Sequence, residues 1–212
     1  MNIQFITLFP EMFDGVLSSS ILGRARTKKL VNYSLINLRD FGLGSYRQVD
    51  DTPYGGGQGM LLRPEPIVAA IEHAKKQDKN SVVVLPTPRG KIYDQADADK
   101  LAKLNKGLII ICPRYEGYDE RITNWVDYSF CIGEYVLTGG ELPSMVIADS
   151  VVRLLPGVLG NEESAKTESF QNGAIEYPQY TRPQVFRDLK TPDVLLSGDH
   201  AKIDKWRREN SA

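Results

Sequence analysis

Ile132-Gly133-Glu134-Tyr135-Val136-Leu137-Thr138-Gly139-Gly140-Glu141-Leu142-Pro143 is the stretch on which the reading of this chain turns. An apolar run enters it, two adjacent glycines interrupt it, and Pro143 stands in the first turn of the apolar helix that follows. Adjacent glycines let backbone approach a ligand or other backbone closely, because no Cβ intervenes. Proline in a first helical turn forfeits an N–H that would lack a partner anyway. Taken alone, the dodecamer reads equally as an ordinary strand–turn–helix connection or as a loop offering backbone donors to a small molecule. Three other unusual segments share the chain with it: Tyr54-Gly55-Gly56-Gly57-Gln58-Gly59-Met60, Pro113-Arg114-Tyr115-Glu116-Gly117 and Arg153-Leu154-Leu155-Pro156-Gly157-Val158.

Outward from this stretch, short all-apolar runs at Val82–Leu85 and Leu108–Cys112 predict strands buried on both faces, and Asp127–Ile132 predicts a third strand. Residues 2–9 and Tyr33–Leu38 predict two more. Helical patterns cover residues 11–30, Pro64 to Lys76, Asp94 to Leu104 and Glu141 to Leu155. Residues 40–60 form a long glycine-bearing loop, a length that in a compact domain points to function or disorder. Strands alternating with helices predict an α/β domain with a mainly parallel sheet, and ligands of such sheets sit at the carboxyl ends of the strands. The loops expected at those ends are Pro86–Gly90, Pro113–Gly117 and Gly133–Gly140. The character changes after Gly160: 161–176 read as a flexible polar linker. Residues 177–212, with Tyr177, Tyr180, Phe186 and Trp206, read as a small helical domain, too short to be stable without packing on something.

Composition sets the outer bounds. At 212 residues the chain has room for one sizeable domain and a small second one. No apolar run is long enough to span a bilayer, and the N-terminus Met1-Asn2-Ile3-Gln4-Phe5 lacks a basic leader region. The expectation is a cytoplasmic protein without membrane contact. The two cysteines, Cys112 and Cys131, read as buried thiols, and with only two histidines and no paired spacing a structural zinc site is not expected. A net charge of −1 argues against indiscriminate nucleic-acid binding. Contact with nucleic acid would have to come from local patches, of which Arg24-Arg26-Lys28-Lys29 and Lys202-Lys205-Arg207-Arg208 are the candidates; taken alone, each reads better as a solvated helix face. There is no phosphate-loop pattern and no G-x-G-x-x-G after a strand, so an ATP or dinucleotide enzyme is not expected.

In order along the chain, Phe9-Pro10-Glu11-Met12-Phe13, Asp50-Asp51-Thr52-Pro53-Tyr54-Gly55-Gly56-Gly57, Arg114-Tyr115-Glu116-Gly117-Tyr118-Asp119-Glu120-Arg121, Ile132–Pro143, Pro156-Gly157-Val158-Leu159-Gly160, Tyr180-Thr181-Arg182-Pro183 and Leu195-Leu196-Ser197-Gly198-Asp199-His200 resemble the bacterial TrmD family of tRNA (guanine-N1)-methyltransferases. The resemblance covers nearly the whole chain. It implies a SPOUT-type α/β fold: a parallel sheet with helices on both faces, a deep trefoil knot, and a small all-helical C-terminal domain. The implied organisation is a knotted methyltransferase domain at 1–160 binding S-adenosylmethionine, a linker at 161–176 and a tRNA-binding domain at 177–212. The implied activity is methylation of N1 of guanosine 37 of tRNA, beside the anticodon, by a homodimer whose active site is shared between subunits.

Site residues follow from the same resemblance. The methyl-donor pocket is expected at Leu85, Pro86, Thr87, Pro88 and Gly90, at Pro113, Tyr115, Glu116 and Gly117, and at Ile132, Gly133, Glu134, Tyr135, Val136, Leu137, Gly139 and Gly140. Substrate contacts are expected at Asp50, Tyr54, Gly57, Gly59 and Arg182. Arg153 takes the position of the arginine that helps bind the target base, and Glu168 that of the general-base aspartate. Glu116 is the candidate for positioning a magnesium ion. The chain departs from the family pattern at Glu168, at Pro113 (glycine in the family), at Gln58, and in Thr87-Pro88-Arg89-Gly90, where the family has Ser-Pro-Gln-Gly. The chemistry fits these groups: guanine N1 must lose a proton before it can attack, and the donor's methyl needs no acid. One base and one group binding charge at O6 suffice. A glutamate titrates near about 4.3 when free and is commonly tuned by burial to roughly 6–7 when it serves as a base. Two other readings stay open: a knotted ribose 2′-O-methyltransferase, and an RNA-binding module without catalysis.

Overall fold

The computed structural model describes residues 1–160, 169–170 and 175–211. The chain divides into two compact units, Met1–Gly160 and Asn161–Ala212. The first is built on five parallel strands: β1 (Asn2–Thr7), β2 (Asn32–Asn37), β5 (Val82–Ile92), β6 (Leu108–Ile111) and β7 (Tyr128–Cys131), in the order β2-β1-β6-β5-β7. A separate antiparallel pair, β3 (Asp50–Asp51) with β4 (Leu61–Leu62), ties the long glycine-bearing loop expected over 40–60 to the residues just after it.

The continuous apolar runs become central strands because both faces of the sheet are covered. Along β5, Val82 and Val84 point into one core and Val83 and Leu85 into the other. One core holds Phe5, Ile110 and Phe130 under α1 (Asp14–Ser18), α2 (Ser20–Thr27), α4 (Gln95–Lys103) and α5 (Glu141–Val152), which contribute Leu17, Leu22, Leu101 and Ile147. The other holds Ile6, Ile109 and Ile111 under α3 (Pro64–Gln77), through Ile67, Ala70, Ile71 and Ala74. Spacing by three and four residues puts these α3 side chains on a single face. The start of α4 is fixed by a capping box in which Asp94 and Asp97 each bond the other's backbone N–H.

Two expectations are corrected. Pro86–Gly90 is not a loop beyond the end of a strand but lies inside β5. Pro86 and Lys91 both pair with Phe130, so residues 87–90 leave the ladder as a wide bulge and the strand then resumes. Proline is accommodated in strands at such irregularities. Gly90 is required where the chain returns, since a Cβ there would stand 2.5 Å from the Phe130 nitrogen.

The second correction concerns the C-terminal unit, which is not all-helical. It carries an antiparallel hairpin, β8 (Val185–Phe186) with β9 (Leu189–Lys190), ahead of α6 (Asp193–Leu196) and α7 (His200–Asn210). Arg187 and Asp188 turn the hairpin with φ of 47° and 68°. That is the geometry of the tightest hairpin turns, normally signalled by Asn-Gly. Of the linker expected at 161–176, most residues lie outside those described.

Candidate functional site

The bulge of β5 and the loops leaving β6 and β7 enclose a cleft of about 470 Å³. The three strands are adjacent in the sheet, so all three excursions arise at one edge. That volume is in the range that holds a nucleoside-sized ligand.

Each wall is fixed by its own contacts. In the bulge, the Tyr118 hydroxyl donates to Thr87 Oγ1 at 3.0 Å, tying β5 to the loop after β6. In that loop Tyr115 adopts φ 61° and Gly117 φ 135°. A bulky residue in the left-handed region costs on the order of 1–3 kcal/mol, and such positions cluster at ligand sites. The glycine segment at 54–60 docks on the same loop: the Glu116 nitrogen donates to the Met60 carbonyl at 3.1 Å and the Leu62 nitrogen to the Gly117 carbonyl at 2.9 Å. A Cβ on Gly59 would lie 2.4 Å from Glu116 Cγ. Gly59 is therefore glycine because the Glu116 side chain rests on it.

The third wall explains the glycine pair. The Gly140 nitrogen donates to the Pro113 carbonyl at 2.7 Å. A Cβ at Gly140 would fall 2.3 Å from Pro113 Cδ, and one at Gly139 2.4 Å from Arg114 Nε. These two glycines make room for protein groups of the neighbouring loop. Arg114 is the centre of that packing. Its Nε lies 2.7 Å from Glu141 Oε2, its guanidinium sits 4.4 Å from the Phe9 ring centre, and it donates to the Thr138 carbonyl at 3.3 Å. Glu141 is fully buried and its other oxygen accepts from Thr7 Oγ1 at 2.8 Å.

The cleft surface is apolar at Pro86, Ile132, Leu137 and Pro143, aromatic at Tyr115 and Tyr135, and charged at Arg89, Glu116 and Glu120. A flat heteroaromatic group with hydrogen-bonding edges fits the first set. A cationic group is favoured by aromatic faces and by a carboxylate such as Glu116. No thiol nucleophile is set up by Cys112: it is buried, within 3.2 Å of the Ser144 hydroxyl, and burial pushes its thiol well above the usual range.

Most of the donor-pocket residues expected from sequence do line this cleft: Pro86, Thr87, Pro88, Pro113, Tyr115, Glu116, Gly117, Ile132, Gly133, Tyr135, Val136, Leu137, Gly139 and Gly140. Three do not. Leu85 is fully buried in the core, Gly90 is pressed on the Phe130 backbone, and Glu134 stands off the lining. Arg153 closes the C-terminus of α5, its backbone nitrogen donating to Asp149, and does not line the cleft. Asp50 pairs with Leu62 in the small antiparallel ladder. Tyr54 is 99% exposed beside Gly55, Gly56 and Gly57, all at positive φ. Arg182 is an exposed residue of the C-terminal unit. Glu168 lies outside the described residues. Sequence reasoning missed Arg89, Arg114, Tyr118, Glu120, Phe130, Cys131, Thr138 and Pro143. Several of these sit within the motifs already quoted, so proximity in sequence was a usable signal.

Among the described residues no group of three or more His, Cys, Asp or Glu side chains is arranged to hold a metal ion. None of the helices among them is long and apolar enough to cross a membrane.

Comparison with known proteins agrees with the sequence resemblance. The family described as tRNA (Guanine-1)-methyltransferase TrmD matches residues 1–212. A protein of Halalkalibacterium halodurans named tRNA (guanine-N(1)-)-methyltransferase is 54% identical over 213 residues, spanning 100% of this chain and 86% of its own length. Proteins of the same name are 52% identical in Dictyoglomus turgidum, over 100% of this chain and 85% of theirs, and 50% identical in Staphylococcus haemolyticus, over 99% and 85%.

Proposed function

This chain belongs to the TrmD family of tRNA (guanine-1)-methyltransferases, and we propose that it methylates N1 of guanosine 37 of tRNA with S-adenosylmethionine as donor. The observation that carries this reading is the convergence of the β5 bulge and the loops after β6 and β7 on one cleft of about 470 Å³, in a chain that matches the family from end to end.

The residues present suit the donor. Ile132, Leu137, Pro86 and Pro143 offer an apolar slot for adenine, and the loop backbone at 132–140 offers its donors and acceptors. Tyr115, Tyr135 and Glu116 offer faces and charge to a sulfonium. Pro113, lacking an N–H, offers only its carbonyl, and that is taken by Gly140. When bound, the donor supplies a methyl group already activated by the positive sulfur.

What remains for the protein is to prepare the guanine. Glu168 is proposed to accept the N1 proton as the bond to the methyl forms. Arg153 is proposed to donate to O6, where negative charge develops, an arrangement that lowers the barrier because the charge is met by a donor already in position. Exposed Tyr54 and the left-handed glycines after it, with Asp50, Gly57, Gly59 and Arg182, are the proposed substrate contacts. Magnesium is left as a proposal at Glu116, an ion often held by only one or two carboxylates and water.

The finer architecture is proposed with the function: a trefoil knot of the SPOUT type, a C-terminal unit gripping tRNA through Lys202, Lys205, Arg207 and Arg208 of α7, a cytoplasmic location, and a homodimer. Supporting the dimer, Leu142 and Val146 lie one turn apart on α5 with half their surface exposed, and Met12 and Val16 are exposed on the neighbouring N-terminal segments. If the base and the donor pocket act across the subunit boundary, mixed dimers of Glu168→Gln with a donor-pocket variant recover activity; mixed dimers as inactive as either parent contradict the shared site. Nuclease digestion and mass spectrometry of the product locate the methyl, and a 2′-O-methyl ribose would contradict the base-methylation reading.

A further inference from the structure

Two charged side chains face each other at the cleft and have no role in the scheme above. Arg89 belongs to the bulge of β5 and Glu120 opens the turn that follows the loop after β6. Arg89 Nη1 and Glu120 Oε2 are 3.2 Å apart, the side chains are 79% and 66% exposed, and both residues line the cleft. The other arginine of the lining, Arg114, is committed to buried Glu141 and the Thr138 carbonyl. Among the described residues, Arg89 is thus the cation of this lining that a ligand can reach.

We propose that Arg89 and Glu120 receive the amino-acid end of the methyl donor. They exchange their mutual ion pair for one contact each, Arg89 to the donor's α-carboxylate and Glu120 to its α-ammonium. This rests on the assignment of the cleft to S-adenosylmethionine. A zwitterion carries both charges on one carbon, so a receptor for it needs a cation and an anion side by side, as these two are. The exchange is easy because an ion pair this exposed holds weakly. The backbones beneath are fixed while the charged ends are free. The Arg89 nitrogen donates to Thr87 Oγ1 at 3.4 Å, and Thr87 is held by Tyr118. Asp119, which precedes Glu120, is locked to Arg121 at 2.8 Å.

The test compares two nucleosides by calorimetry on the full chain: S-adenosylhomocysteine, which carries the amino-acid end, and 5′-methylthioadenosine, which lacks it. In the wild-type protein the former binds more tightly, and added salt narrows the difference. Arg89→Gln and Glu120→Gln each weaken S-adenosylhomocysteine by about fivefold, the upper end for an exposed pair, and leave 5′-methylthioadenosine within about twofold. Equal weakening of both nucleosides, or of neither, overturns the inference while the cleft assignment stands; loss of tRNA binding alone in Arg89→Gln does the same. If the wild-type chain binds neither nucleoside, the cleft assignment fails and this inference with it.

Discussion

Arg114 Nε stands 2.7 Å from Oε2 of Glu141, a carboxylate with no exposure to solvent. The N–H is not aligned for a hydrogen bond, so the link is a charge contact, and it fastens the loop after β6 to the first turn of α5. Removing one partner of a buried pair strands the other charge, at a cost of about 3–5 kcal/mol. Arg114→Met and Glu141→Gln are each expected to lower unfolding stability by that order in urea titration. A loss below about 1 kcal/mol in both would show that the pair does not hold these loops.

Gly140→Ala is expected to disturb the cleft directly. The added Cβ would meet Pro113 Cδ at 2.3 Å and the Pro113 nitrogen at 2.6 Å, and backbone cannot swing aside as a side chain can. Overpacking of this kind costs about 1–3 kcal/mol, and the displaced loops should bind S-adenosylhomocysteine at least tenfold more weakly by calorimetry. Gly15→Ala, which adds a Cβ into open space, serves as the control and should leave both properties unchanged.

Tyr118→Phe removes the hydroxyl that donates to Thr87 at 3.0 Å. A hydrogen bond of this sort contributes about 0.5–1.5 kcal/mol. Donor affinity should fall two- to tenfold as the β5 bulge loosens, with the far-ultraviolet dichroism unchanged. Undiminished affinity would mean that the bulge is held by the sheet alone.

Acid stability should depend on Asp119. Its bidentate contact with the Arg121 side chain, helped by the Arg121 backbone N–H, holds its carboxyl below the usual range. A carboxyl whose pKa is lowered by folding stabilises the protein fully above its unfolded value of about 3.9, and that contribution is lost as pH falls through the lower folded value. Thermal melts between pH 3 and 7 should therefore show a shallower acid limb in Asp119→Asn than in the wild type. Parallel limbs would remove Asp119 from the acid transition.

Much of the first unit was legible because its signals are local. All-apolar runs such as Leu108–Ile111 have few homes outside a sheet covered on both faces, and the 3.6-residue pattern of α3 needs no partner to be read. Most of the cleft lining was legible because its residues fall in motifs that return in order along the chain. What escaped depends on contacts between distant residues. Nothing local to Gly139 and Gly140 says that Arg114 and Pro113 fill the space above them. The β5 bulge needs Phe130 to define it, forty residues away. The hairpin at 185–190 was missed because Arg187-Asp188 lacks the usual glycine. Arg89 and Glu120 are unremarkable charges until the fold brings them together.

The most direct test is transfer of labelled methyl from S-adenosylmethionine to two unmodified tRNA transcripts, one with guanosine at positions 36 and 37 and one with adenosine at 37. Incorporation into the first transcript only, at N1 of guanosine 37, is the expected result. Equal incorporation into both, or none into either while the donor still binds, would contradict the assignment of this chain as a guanosine-37 methyltransferase.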